Sequence, residues 1–259
     1  MILFGILNMI PNFSKREKEI LTGIVFHNLR ILHNVTPKDT YIENYKWHWN
    51  RWKEKYFDLY HFCFWYGLTH KPKKIIEIGT RTGLSLCQLL SSYLDFKDLR
   101  VVIFDRFDDG LSCPDLVKKH LKHLGIPTDF LEFYTGDSNE QVPKFKEKNK
   151  DLFDWILIDG SHQLPWVWND FENVKDLVKV GGVIVADDIN ARPEDKIDVP
   201  KTWEKFKNTY KDYFDFWEEK HGKGVGVAIK NEKLFEKAKK PQETYKPPEH
   251  LISSFFRFY

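Results

Sequence analysis

Asp154 to Asn190 reads DWILIDGSHQLPWVWNDFENVKDLVKVGGVIVADDIN. Two short apolar runs, Trp155–Ile158 and Val183–Ala186, each end in acid: Asp159 after the first, Asp187 and Asp188 after the second. Between them lies a helical pattern opened by Pro165 and closed by Gly181 and Gly182. Proline in the first helical turn and glycine past the last are start and stop signals. Strand, helix, strand at this spacing is a βαβ unit, so the two strands should be parallel neighbours. Parallel neighbours end on the same side. The three carboxylates and His162 should therefore gather on one rim of the sheet, the rim where open α/β sheets bind ligands.

The same rhythm extends in both directions. Apolar runs Ile75–Ile78, Val101–Phe104 and Phe130–Tyr134 precede the two above, starting at intervals of roughly 25–29 residues. Helical patterns fall between them: Leu84–Tyr93, Asp115–Leu124, Gln141–Lys148 and Trp166–Val178. Continuous apolar runs of this length suit strands buried on both faces. Regular alternation predicts an α/β fold with a doubly wound, mostly parallel sheet. Pro200–Tyr213 continues as a helix. Phe214–Glu219 and Val225–Lys230 flank His221-Gly222-Lys223-Gly224 and read as a terminal antiparallel hairpin, bringing the sheet to seven strands.

Residues 1–70 do not follow this rhythm. Ser14–His33 carries Ile20, Leu21, Ile24, Val25, Leu29 and Leu32 at helical spacing, and Tyr41–Tyr66 is crowded with tryptophan, tyrosine and phenylalanine. Such a helical, aromatic-rich extension should pack on the sheet domain or on a second copy of the chain, giving a homo-oligomer. Residues 71–240 form the sheet domain and 241–259 a Pro- and Lys-rich tail ending in LISSFFRFY.

Of 259 residues, Lys and Arg number 40 against 38 Asp and Glu, a net charge of +2. A nucleic-acid partner would call for a basic excess, so none is expected. Three cysteines without a CxxC pair argue against a disulfide framework and for a reducing, cytoplasmic setting. Met1–Ile10 is too short to span a bilayer, and no membrane association is expected.

Glu77-Ile78-Gly79-Thr80-Arg81-Thr82-Gly83 joins the first strand to the first helix. Glycines at such a turn let a ligand approach the backbone, and the helix start offers free N–H groups. Arg81 stands where the dinucleotide fingerprint needs its second glycine, and no GK[ST] follows, which speaks against NAD, FAD and nucleoside triphosphates. Asp105 ends the second strand, where one carboxylate can accept from both hydroxyls of a ribose. Gly136-Asp137-Ser138 follows the third strand, placed to meet a base.

ExGxxxG, an acid after strand two, GDS after strand three, and DGxH followed by GG-x4-DD resemble a class I S-adenosylmethionine-dependent methyltransferase. The pattern covers roughly residues 73–189. The DGSH and ADDI pieces are similar to macrocin-type sugar O-methyltransferases and their cephalosporin-hydroxylase-like relatives. The resemblance implies S-adenosylmethionine held by Glu77, Gly79, Thr80, Arg81, Gly83, Asp105, Asp137, Ser138 and Asp159. It further implies a divalent cation such as Mg²⁺ on Asp159, Asp187 and Asp188, and His162 as base beside Asp159. Asp170 matches a further acid of that pattern. Three carboxylates on one rim repel and need a cation, and an all-oxygen set favours a hard ion. The expected reaction is methyl transfer to a hydroxyl of a small molecule, sugar-like or another polyol. A metal-independent relative, a hydroxylase-like relative, and a module that binds the cofactor without turnover are the alternatives. The polar stretch 189–199 after the acid pair should form a substrate loop.

Overall fold

The computed structural model describes residues 15–33, 58–110 and 112–231. In chain order the helices are α1 (Lys15–His33), α2 (Leu59–His70), α3 (Leu84–Leu90), α4 (Pro114–His123), α5 (Ser138–Lys148), α6 (Trp166–Val174) and α7 (Val199–Tyr210). The strands are β1 (Lys74–Ile78), β2 (Arg100–Asp105), β3 (Leu131–Thr135), β4 (Phe153–Ile158), β5 (Val178–Asp187), β6 (Phe214–Glu219) and β7 (Val225–Lys230). They form one seven-stranded sheet in the order β3-β2-β1-β4-β5-β7-β6. The first five strands are parallel, and β7 runs antiparallel to both β5 and β6. The doubly wound sheet and its terminal hairpin are those expected from the apolar rhythm. The residues of the C-terminal tail and most of Tyr41–Tyr66 lie outside the described residues.

Side chains alternate across the sheet, as the two-residue period of a strand requires. Ile75, Val101, Ile103, Trp155, Leu157, Val183 and Val185 face one layer with α1–α4. Ile76, Ile78, Val102, Phe104, Ile156, Ile184 and Ala186 face the other, with α5–α7. Both faces are therefore covered, which is why the strands read as unbroken apolar runs.

The N-terminal helices share the first of these cores. Asp58 caps α2, accepting from the Tyr60 and His61 backbone N–H groups at 3.0 and 3.4 Å. Phe62 of α2 lies between Trp155 of β4 and Trp217 of β6, with ring centroids 5.8 and 5.6 Å away. Gly67 lets α2 touch α3, since a Cβ there would stand 2.0 Å from the Leu89 carbonyl oxygen. The described end of the aromatic run, Leu59–Tyr66, thus docks on the sheet of its own chain.

The largest boundary difference from the sequence reading lies between β4 and β5. The fourth crossover helix, α6, stops at Val174, and Gly181 and Gly182 lie inside β5 instead of closing the helix. The β4–β5 register jumps between Phe153↔Val178 and Trp155↔Val183. Gly181 takes φ +76°, and a Cβ on Gly182 would stand 2.8 Å from the Phe153 carbonyl oxygen. The glycine pair absorbs extra residues in the strand, a use of glycine that a helix-stop pattern does not distinguish.

Glu77 interrupts the apolar face of β1. It is 2% exposed and accepts from the Ser85 hydroxyl of α3. Burial pushes its carboxyl up to about 8. Its folded pKa lies above the unfolded value, so the stability it contributes is complete below about pH 4.5 and is lost as pH rises toward 8. Glu77→Gln keeps an acceptor for Ser85 and removes the titration. The variant should melt higher than wild type at pH 8, by on the order of a few kcal/mol at about 1.4 kcal/mol per pKa unit, and the gap should close at pH 5. Parallel melting curves across this pH range test it.

Candidate active site

The carboxyl ends of β1 to β4 open into a cleft of about 910 Å³. Gly79, Arg81, Asp105, Asp137, Ser138 and Asp159, among the residues singled out by sequence, line it. His162 and Trp166 close its far end. Glu77, Thr80 and Gly83 do not line it. Glu77 and Thr80 are buried beneath the β1–α3 turn. Gly83, at φ +78°, packs the start of α3 on α4, where a Cβ would meet Val117 at 2.8 Å. These three shape the turn from behind.

Gly79 serves a contact that the sequence did not reveal. Its φ is +81°, and a Cβ would lie 2.1 Å from the carbonyl oxygen of Asp159. The turns after β1 and β4 thus touch backbone to backbone, with the Asp159 N–H donating to the Ile78 carbonyl at 2.9 Å. This contact sets the acid after β4 beside the glycine turn. Across the cleft, Asp105 Oδ2 accepts the Arg81 N–H at 2.6 Å and Oδ1 accepts the Phe107 N–H at 2.8 Å. A carboxylate offers about four acceptor positions, so capacity remains for a diol. The Arg81 side chain turns toward Asp109, at 3.4 Å.

Asp137 caps α5 by accepting the Asn139 N–H at 2.9 Å. The Ser138 hydroxyl donates to Asp170 Oδ1 at 2.6 Å, and Asn139 Nδ2 donates to the same oxygen at 3.0 Å. Asp170 is fully buried in α6, and burial pushes its carboxyl up to about 7. It ties the loop after β3 to the helix after β4 below the cleft floor, a positioning role that the sequence pattern left unassigned.

At the far end stand the acids. His162 Nε2 lies 3.6 Å from Asp159 Oδ1 and 3.5 Å from Asp188 Oδ2, too long for strong hydrogen bonds and close enough for charge to act. Asp159 beside it raises the imidazole pKa above its ordinary value, and Asp188 adds to the effect. The imidazole is 38% exposed and the Asp159 side chain 28%, whereas Asp188 is 3% exposed. Asp188 sits at φ +62°, a left-handed conformation that aspartate tolerates better than most residues. Its Oδ2 accepts from Lys223 Nζ at 3.0 Å.

The expected three-acid metal site is not formed in this arrangement. Asp187 continues the face of Val183 and Val185, as Asp159 continues that of Trp155 and Leu157, and the charges of both are felt at Cys63. Burial, then Asp159 and Asp188, push its carboxyl well up. Asp188 is already engaged by Lys223. Among the described residues no group of three or more His, Cys, Asp or Glu side chains is arranged to hold a metal ion. The donor set does not fit a dication, which would ask for several oxygens converging at about 2.0–2.6 Å.

Sequence reasoning missed Lys223. It lies in the β6–β7 turn, 35 residues from Asp188, and no local pattern links the two. The polar stretch 189–199, expected as a substrate loop, folds over the same end and is tied at several points. The Asp198 N–H donates to the His162 carbonyl at 2.8 Å, Gln163 Nε2 to the Lys196 carbonyl at 2.8 Å, and the Leu164 N–H to Asp198 Oδ2 at 3.1 Å. Ile197 from this stretch lines the cleft. Among the described residues no helix is long and apolar enough to cross a membrane.

Residues 76–189 match the family described as Methyltransferase domain. A comparison with curated protein sequences returned no match. Among solved structures, the fold is similar to the O-methyltransferase TomG of Streptomyces achromogenes, involved in tomaymycin synthesis and solved with SAM. That likeness has 17% identity and a TM-score of 0.52 over 66% of this chain and 78% of the other. An O-methyltransferase of Bacillus cereus in complex with SAH gives 20% identity and 0.51 over 66% and 79%. A SAH-bound methyltransferase of Podospora anserina gives 16% and 0.52 over 86% and 99%. The glycine turn after β1, the acid after β2 and the DGSH turn after β4 all fall inside the matched span or at its edge. The chain has the Rossmann-like fold of these methyltransferase structures, and its residues 76–189 are similar to a methyltransferase domain.

Proposed function

We propose that this chain transfers a methyl group from S-adenosylmethionine to a hydroxyl of a small, sugar-like or polyol acceptor. One observation carries the reading: Asp105 after β2 and the Asp159–His162 pair after β4 face a single cleft. The cofactor, when bound, supplies an electrophilic methyl on a sulfonium sulfur. Asp105 suits the ribose diol, and Gly79, Arg81, Asp137, Ser138 and Asp159 border the rest of that end. A cleft of about 910 Å³ has room for a nucleoside with an amino-acid arm.

The chain's own contribution is proton handling and alignment. An alcohol is a poor nucleophile until its proton is removed. His162 has one ring nitrogen for each task. Nε2 faces Asp159 and Asp188 and is shut off from solvent. The carboxylates hold the proton on Nε2, leaving the Nδ1 lone pair for the acceptor hydroxyl, the logic by which an acid orients a catalytic histidine. The acids also strengthen the base by favouring its charged form. Trp166, beside His162, offers an apolar face to the acceptor. The balanced charge of the chain favours neither a nucleic acid nor another polyanion as acceptor.

Two variants test the two ends separately. Asp105→Ala should weaken S-adenosylhomocysteine binding in calorimetry by about 1–3 kcal/mol, the worth of hydrogen bonds to a charged group. Undiminished affinity would remove Asp105 from the cofactor site. His162→Ala should bind S-adenosylhomocysteine as wild type does and lose roughly 10²–10⁴-fold in kcat against a responsive acceptor from a panel of glycosides and catechols. In wild type the rate should climb as His162 loses its proton, and the midpoint should lie above the ordinary histidine value because Asp159 raises it. A His162→Ala enzyme at wild-type rate would assign the proton transfer elsewhere.

A further inference from the structure

We infer that Lys223 is the built-in cation of the acid rim: its ammonium takes the place that a divalent ion would need and holds Asp188 toward His162. Lys223 is thus a positioning residue. The inference rests on the proposed function only in treating Asp159 and His162 as the chemical end of the cleft.

Two independent sets of contacts bring Lys223 there. The first is the side chain itself, 3.0 Å from Asp188 Oδ2, on a carboxylate that is 3% exposed. The second is the backbone of its turn. The Asn190 N–H donates to the Lys223 carbonyl at 2.6 Å, and Asn190 Nδ2 donates to the Lys220 and Gly222 carbonyls at 2.7 and 3.2 Å. Gly224 is needed for that approach, since a Cβ would stand 2.7 Å from the Asn190 Cβ. The pairing of Asp187 with Val225 starts the hairpin strand directly beside the acids. The turn is therefore clamped to the residue two places after Asp188.

The charge balance follows. Asp159 and Asp188 present two negative charges to His162. Lys223 brings one ammonium to this group, at 3.0 Å from Asp188 Oδ2. A dication bound at Asp188 Oδ2 would have to displace Lys223 from it. The remaining oxygen, Asp188 Oδ1, is buried and has no partner among the described residues. A buried carboxylate that keeps one ammonium partner at hydrogen-bond distance loses heavily if that partner is removed.

The test is Mn²⁺ binding to the full chain, followed by electron paramagnetic resonance, for wild type, Lys223→Ala and Lys223→Arg. Wild type should bind Mn²⁺ no better than a chain carrying Asp188→Asn. Lys223→Ala should gain one site per chain, at least about tenfold tighter, because it leaves a carboxylate pair without its cation and room for a hydrated ion. Lys223→Arg should restore the wild-type result, which a merely structural effect of shortening the side chain does not require. Methyl transfer by wild type should persist in excess EDTA, and Lys223→Ala should fall in kcat with little change in KM. A wild-type Mn²⁺ site abolished by Asp188→Asn would overturn the inference, as would a folded Lys223→Ala chain that gains no Mn²⁺ affinity. Circular dichroism melting establishes that each variant is folded; should Lys223→Ala fail to fold, Lys223→Gln takes its place with the same expectation. S-adenosylhomocysteine titrated into the same samples reports on the cofactor reading separately: a chain that binds none, yet shows the Mn²⁺ pattern, would sink the proposed function and leave the role of Lys223 standing.

Discussion

Parallel pairing is the constraint on which the rest of this structure depends. Five neighbouring strands that satisfy their backbone groups by pairing in parallel must all end on one side. Whatever residue follows each strand is delivered to the same rim. The chain places a glycine turn, one acid, a Gly-Asp-Ser turn, a second acid with its histidine, and an acid pair at those five exits. The cleft is a consequence of strand direction before any side chain is considered.

The same constraint creates an electrostatic problem. Carboxylates collected on a low-dielectric rim repel one another, and each must be paired, protonated or turned away. Different acids resolve this differently. Asp105 accepts two backbone N–H groups. Asp137 becomes a helix cap. Asp170, sealed below the floor, is pushed toward the neutral form by burial and still anchors Ser138 and Asn139. Asp187, beside Asp159 and Asp188, is pushed toward the neutral form by burial, and Asp188 meets Lys223. Asp159, next to His162, is the acid of the far end that lines the cleft.

Backbone approach settles the geometry between these groups. Gly79 against Asp159 and Gly224 against Asn190 are contacts in which a single Cβ has no room. The first brings the β1 and β4 turns together, and the second brings the hairpin turn to the end of β5. Left-handed conformations at Arg81 and Asp188 re-aim the chain at the same two places. Such conformations persist where surrounding contacts over-determine them.

The sequence by itself determined the sheet. Continuous apolar runs separated by helical patterns leave few alternatives to a doubly wound fold, because burial on both faces and right-handed crossovers restrict the topology. It also determined which residues leave the strands at the binding rim, since strand direction and strand end are local properties. Asp105, Asp159 and His162 were legible for that reason. Tertiary structure alone decided what each of them faces. The strand bulge at Gly181 and Gly182 could not be told from a helix stop, because glycine serves both and only the Phe153–Val183 region of the paired strand distinguishes them. Asp187 ends β5, whereas Asp188 leaves the strand at φ +62° and meets Lys223. Lys223 reached Asp188 through antiparallel pairing of β5 with β7, a long-range register that no spacing within either segment encodes.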